Sequence, residues 1–171
     1  MKRYYLILLI LLSILLSVGF NSEDKDKNTV KAGKKMQEFV IGISDFARKQ
    51  KNDFIVIPQN GSELAFENSN PDKNLSTSYL KAIDGIAIEE LFYDEKGKAD
   101  NYRIENLKKL PKEKKIMVSE FVKNKDDIDK VIQLNQTVNF VPFIRTAENY
   151  HYHLIPENIN LENANNITKL S

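Results

Sequence analysis

The chain has 171 residues, a net charge of +1 and 29% charged side chains with both signs interspersed. That is room for one ordinary domain, and nothing in the charge balance provides the basic surface that nucleic-acid binding needs. Cysteine is absent, which excludes disulfides, thiolate metal sites and cysteine nucleophiles.

The N-terminal stretch "MKRYYLILLILLSILLSVGF" puts two basic residues ahead of an apolar run from Tyr4 to Phe20. This is the order of a secretory signal, and Ser17-Val18-Gly19 supplies small residues for cleavage after Gly19. The run is long for a signal core and short for a membrane span. Residues 1–20 are therefore read as a signal peptide or as an anchor retained through residues 4–20. Either places the body of the protein outside the cytoplasmic membrane, secreted or in the cell envelope. Residues 21–30 read as a polar linker and residues 31–171 as the domain.

Met36, Phe39, Val40, Ile43, Phe46 and Ala47 form one apolar stripe at helical spacing. Phe54-Ile55-Val56-Ile57 follows, continuous and mostly β-branched, the pattern of a strand buried on both faces. Ser62 to Asn74 reads as loop and Ser76 to Ala82 as a short helix. Ile83 to Tyr93, "IDGIAIEELFY", reads as a second strand, and Tyr102 to Leu110 as a helix stopped by Pro111. A third strand is predicted at Ile116 to Val118. A helix follows in "NKDDIDKVIQL", opened by Asn/Asp caps, and a fourth strand at Phe140 to Ile144. Strand and helix alternate with short connections, which predicts an α/β fold with a parallel sheet.

Ligands of such sheets sit at the carboxyl ends of the strands. Those ends present Gln59, Asn60 and Ser62; Glu89, Glu90 and Tyr93; Ser119 and Glu120; and Arg145 and Thr146. Amides supply donors and acceptors together, which suits polyhydroxylated ligands, and glycoside hydrolysis needs carboxyl groups. Glu89 and Glu90 are adjacent, so on a strand they would point to opposite faces and only one would serve a shared site. Asp84 opens its strand, at the wrong end for catalysis. His151 and His153 lack further ligand partners, so no metal site is expected. No phosphate-binding loop, dinucleotide fingerprint or nucleophile elbow is present, and no cofactor is expected.

Four segments, "AGKKMQEFVIGISDFARKQKNDFIVIPQNGSEL", "YLKAIDGIAIEELFY", "KKIMVSEFV" and "NFVPFIRT", together resemble the C-terminal half of glycoside hydrolase family 114. These are the endo-α-1,4-polygalactosaminidase-like TIM barrels, some labelled cysteinyl-tRNA synthetase-related. The resemblance covers most of residues 30 to 150. It implies a partial (β/α)8 barrel, strands five to eight with their helices. It implies Glu89 as the surviving member of a catalytic carboxylate pair, and Gln59, Asn60, Tyr93, Glu120 and Arg145 lining a carbohydrate site. The second carboxylate, an Asp after strand four, has no counterpart in this chain. The expectation is an exported polysaccharide hydrolase relative, truncated and weak or inactive alone. It pairs with a second copy or with a separate N-terminal half-barrel. The alternatives are a non-catalytic carbohydrate-binding or self-assembling protein, or a gene remnant.

Overall fold

The computed structural model describes residues 27–146. Signal, anchor and most of the linker lie outside the described residues, as do His151 and His153. Among the described residues no helix is long and apolar enough to cross a membrane.

Helix α1 occupies residues 27–50. After two short 3-10 turns come α2 (Thr77–Ala82), β1 (Gly85–Glu89), α3 (Asn101–Leu107) and β2 (Lys115–Phe121). A further 3-10 turn leads into α4 (Ile128–Thr137), and β3 (Val141–Arg145) closes the described order. The three strands form a parallel sheet in the order β1-β2-β3. Its rows run Ala87–Met117–Val141 and Glu89–Ser119–Phe143.

The stretch expected as a first strand lies beside β1 without forming a full ladder. Asp84 N–H donates to the Val56 carbonyl (2.8 Å), Ala87 N–H to Pro58 (2.9 Å) and Asn60 N–H to Ala87 (2.7 Å). Gln59 bridges Ala87 in parallel register. The segment is an edge, and Phe54 and Ile55 are 46% and 47% exposed. The expectation of a strand buried on both faces is corrected. A continuous apolar run fits a buried strand only where neighbours stand on both sides, and here one side has none among the described residues.

The sheet itself is covered on one face. Ile86 and Ile88 of β1, Ile116 and Val118 of β2 and Ile144 of β3 are buried with Tyr79 of α2, Leu107 of α3 and Val131 of α4. Consecutive strands advance in one direction, and right-handed crossovers then put every helix on the same side. The other face, with Ala87, Met117, Ser119 and Phe143, stays partly open. Gly85 sits where a Cβ would run into the Lys115 carbonyl, so the two strands start in close contact only because that side chain is missing.

Helix α1 packs in a way its sequence pattern does not predict. An amphipathic helix ordinarily turns its apolar stripe inward. Here Met36, Phe39, Ile43 and Phe46 are 45–69% exposed. The face turned to the body carries Gln37, Ser44 and Arg48. Gln37 Nε2 donates to the carbonyls of Leu64 (2.7 Å) and Phe66 (3.0 Å), and buried Ser44 Oγ donates to Ala82 (2.7 Å). Arg48 reaches the carbonyls of Lys81 (3.0 Å) and Phe54 (3.3 Å) and the Asp84 carboxylate (2.9 Å). Asp84 also accepts from Val56 N–H at 2.7 Å. It therefore ties helix, edge and β1 together at the amino end of the strand, away from any site at the carboxyl end.

Candidate functional site

At the carboxyl end of β1 and the edge segment opens a cleft of about 500 Å³, with Asn60, Ser62, Glu63, Glu89, Glu90, Asp94 and Arg103 in its lining. The edge segment leaves the sheet here through two successive left-handed residues, Asn60 (φ 61°) and Gly61 (φ 64°). Asparagine and glycine are the residues that take this conformation at least cost. The turn brings Ser62, the start of a 3-10 helix, to the cleft wall.

Glu89 is the last residue of β1 and points to the open face of the sheet, exposed. Gln59 Nε2 donates to Glu89 Oε1 at 2.8 Å, fixing one oxygen of the carboxylate. The other has no protein hydrogen bond among the described residues. Glu90 departs from the strand, with φ at 49°, while its N–H donates to the Ser119 carbonyl at 2.9 Å. The alternation that would have sent Glu90 to the far face is broken by that turn. Both glutamates line the same cleft, contrary to the sequence expectation.

Arg103 holds this turn from behind. Its Nη1 donates to the Glu89 carbonyl (3.2 Å), Nη2 to the Glu90 carbonyl (2.8 Å) and Nε to Asp100 (2.8 Å). Asp100 in turn caps α3 by accepting from Arg103 N–H at 3.0 Å. The backbone N–H of Arg103, together with its guanidinium, holds the Asp100 carboxyl below its ordinary value, against some desolvation. Asp94 shapes the outer wall. It accepts from Lys98 N–H (2.7 Å) and Lys96 N–H (2.8 Å), and those bonds lower its carboxyl despite some desolvation.

Of the six residues expected at the site, three meet at the cleft and three lie elsewhere. Gln59, Asn60 and Glu89 come together at the cleft. Arg145 shares the open sheet face but lies on β3, two strands or about 10 Å from β1, and its Nε is buried without a partner among the described residues. Tyr93 turns elsewhere: its hydroxyl donates to Asp127 at 3.0 Å, and that hydrogen bond, with some desolvation and the carboxylate's charge, raises its pKa. Glu120 is not at the mouth. The third strand runs on to Phe121, so Glu120 lies inside it, on the buried face with Ile116 and Val118. Fully buried, its carboxylate accepts from the backbone N–H groups of Phe92 (2.8 Å), Leu91 (3.1 Å) and Tyr93 (3.3 Å). It serves as an internal anion that shapes the loop following β1. Glu63, Asp94 and Arg103 are cleft residues that the sequence did not single out.

Three of the acids in the lining, Glu63, Glu89 and Glu90, stand beside one arginine that is already paired with Asp100, so the cleft is anionic. Among the described residues no group of three His, Asp or Glu is placed to hold a metal ion.

No protein-family model matches the chain, and no solved structure matches it. The uncharacterized protein MJ1477 of Methanocaldococcus jannaschii is 31% identical over 128 residues, which cover 67% of this chain and 35% of that protein. The aligned part thus spans about a third of its archaeal relative. What the comparisons and the fold establish together is an α/β chain with a small parallel sheet, similar over two thirds of its length to part of a longer protein.

Proposed function

We propose that this is an exported glycoside hydrolase-like protein whose cleft takes an amino-sugar-containing polysaccharide, with Glu89 as its catalytic carboxylate. The observation that carries this reading is the position of Glu89. It stands at the carboxyl end of a parallel strand in the lining of an open cleft, one oxygen oriented by Gln59 and the other without a hydrogen bond among the described residues. A carboxylate so placed suits proton transfer to or from a glycosidic oxygen. Asn60 and Ser62 supply hydrogen bonds for sugar hydroxyls, and the anionic lining favours the ammonium groups of deacetylated amino sugars.

The sheet supports the finer architecture, strands five to eight of a (β/α)8 barrel. Strand neighbours follow chain order from the edge segment to β3. That is the winding of a barrel, in contrast to a doubly wound sheet, whose order reverses. The N-terminal sequence supports export.

A glycosidase works with two carboxyl groups, about 5–9.5 Å apart depending on stereochemistry. Glu89 is one, and the chain alone is expected to hydrolyse weakly. The test is binding and hydrolysis of a galactosaminogalactan-type polymer by the wild type and Glu89→Gln. The expected result is binding by both, weakened by salt and by N-acetylation of the polymer, with any turnover lost in the variant. Turnover undiminished by Glu89→Gln, or equal affinity for a neutral glucan, rejects the reading.

A further inference from the structure

Four surfaces of this fold lack partners among the described residues. One is the outer edge of the segment 54–58, where Val56 and Pro58 face β1 and leave the N–H and C=O of Ile55 and Ile57 unbonded. The second is the outer edge of β3, which pairs only with β2. The third is the open sheet face, where Phe143 is 42% exposed. The fourth is the outer stripe of α1. Its residues Met36, Phe39, Ile43 and Phe46 follow the 3-4-3 spacing of a helix-packing seam. Of the large apolar side chains exposed among the described residues, all but Tyr102 and Leu134 of α4 lie on or beside these surfaces. Large apolar patches on a protein surface commonly mark interaction sites.

We infer that two copies of the chain join about a two-fold axis, each supplying four strands to one closed eight-stranded barrel. The inference rests on the barrel reading above. In this arrangement the 54–58 edge of each copy pairs in parallel with β3 of the other. Ile55 and Ile57 gain ladder partners twice over, once at each junction. The seam of α1 then crosses that junction and lands beside α4 of the partner copy, where Leu134 is exposed. The two open sheet faces meet inside, and side chains of an eight-stranded barrel just fill its interior. Two such junctions plus the shared interior place the contact among obligate interfaces, which bury more than about 2,000 Å². A two-fold pairing satisfies all four surfaces at once. An antiparallel pairing of the 54–58 edges would leave both β3 edges and both open faces bare.

The closed arrangement has a chemical consequence. Each β1 stands four strand positions from its mate, with three strands between them on either side, which makes them diametrically opposite. Eight strands about 4.8 Å apart, tilted about 36°, close at a diameter of about 15 Å. The glutamate at the end of each β1 points inward from opposite sides of that mouth. Glu89 of the partner copy then faces Glu89 across the mouth and supplies the opposite member of a carboxylate pair.

The experiment is analytical ultracentrifugation of the full chain, with Phe46→Glu and Ile55→Pro as separate variants. Both residues are exposed in one copy, so neither change removes a core contact, and circular dichroism checks the fold. A wild-type dimer whose dissociation constant rises about 30-fold or more in each variant supports the inference. The absence of cysteine allows a second readout: a short bis-maleimide should link the Glu89→Cys variant between copies and leave Lys112→Cys, at the opposite end of β2, unlinked. A monomer overturns the inference, whether the α1 stripe is then bare or covered by residues 1–26 or by another polypeptide. So does a dimer indifferent to both variants, or one that does not link at position 89. Polymer binding separates the two readings. A monomer that binds amino-sugar polymer leaves the carbohydrate reading standing, and a dimer that binds none leaves only the assembly.

Discussion

Glu120 and Glu89 are both glutamates near strand ends, and the fold gives them opposite tasks. Glu120 is fully buried on three backbone N–H groups. Burial raises its carboxyl above the ordinary value, and the N–H groups with the Asn135 amide offset only part of that rise. The folded chain therefore holds this proton more tightly than the unfolded chain. Its contribution to stability is fully present below the ordinary glutamate value and is lost as pH rises through the raised one. Glu120→Gln should flatten that dependence. It should also cost about 1–3 kcal/mol, because one amide oxygen cannot serve three donors and its NH2 opposes them. Urea unfolding of both forms across acid to neutral pH checks this, and an unchanged pH slope would refute it. The sequence located Glu89 because position at a strand end is legible in a pattern. It misplaced Glu120 because the strand runs three residues past its apolar core, and a period of two then turns the carboxylate inward. The clasp of Arg103 on the turn left no trace in the pattern, since beyond Asp100 its partners are main-chain carbonyls, which every residue has.

At the level of elements, the turn after β1 is set by α3. Asp100 caps that helix and pairs with Arg103, which clasps the carbonyls of Glu89 and Glu90. Asp100→Ala should cost about 1 kcal/mol of stability, the usual loss of an N-cap. The depressed carboxyl means that this stability is present above the ordinary aspartate value and is lost as pH falls through the lowered one. Arg103→Lys keeps the charge but cannot span two carbonyls and a carboxylate with one fork. In the proposed hydrolase it should weaken polymer affinity severalfold with little change in melting temperature. A loss of melting temperature without loss of affinity would make the arginine purely structural. Helix α1 shows what periodicity can and cannot tell. Its apolar stripe correctly marked a helix. The docked face was hidden because Gln37, Ser44 and Arg48 bond to carbonyls, with Val40 alone of the stripe packed against the core. Ser44→Ala should leave the buried Ala82 carbonyl unbonded and cost about 1–3 kcal/mol. Chemical denaturation would register it, and a neutral result would mean that α1 is held by its other contacts.

Across the whole molecule, the alternation of strand with helix and the parallel sense of the sheet were legible from the sequence, and the exposure of the first apolar run and of the α1 stripe was not. Phe54-Ile55-Val56-Ile57 reads as an interior strand, and it would be one if another strand stood at its outer side. The proposed dimer would resolve this mismatch between an interior sequence and an edge position. Hydrogen exchange turns this into a measurement. The strand β2 has neighbours on both sides, so its amides should exchange slowly at any protein concentration. Ile55 and Ile57 have no acceptor within the described residues. Held monomeric by Phe46→Glu, the chain should exchange these two amides at nearly the rate of an open peptide. At concentrations where the wild type dimerises, their protection should approach that of β2, because closure gives each an acceptor on β3 of the partner copy. Rapid exchange of both amides in a dimer would mean that the copies meet elsewhere. Slow exchange in the monomeric variant would mean that the chain covers its own edge.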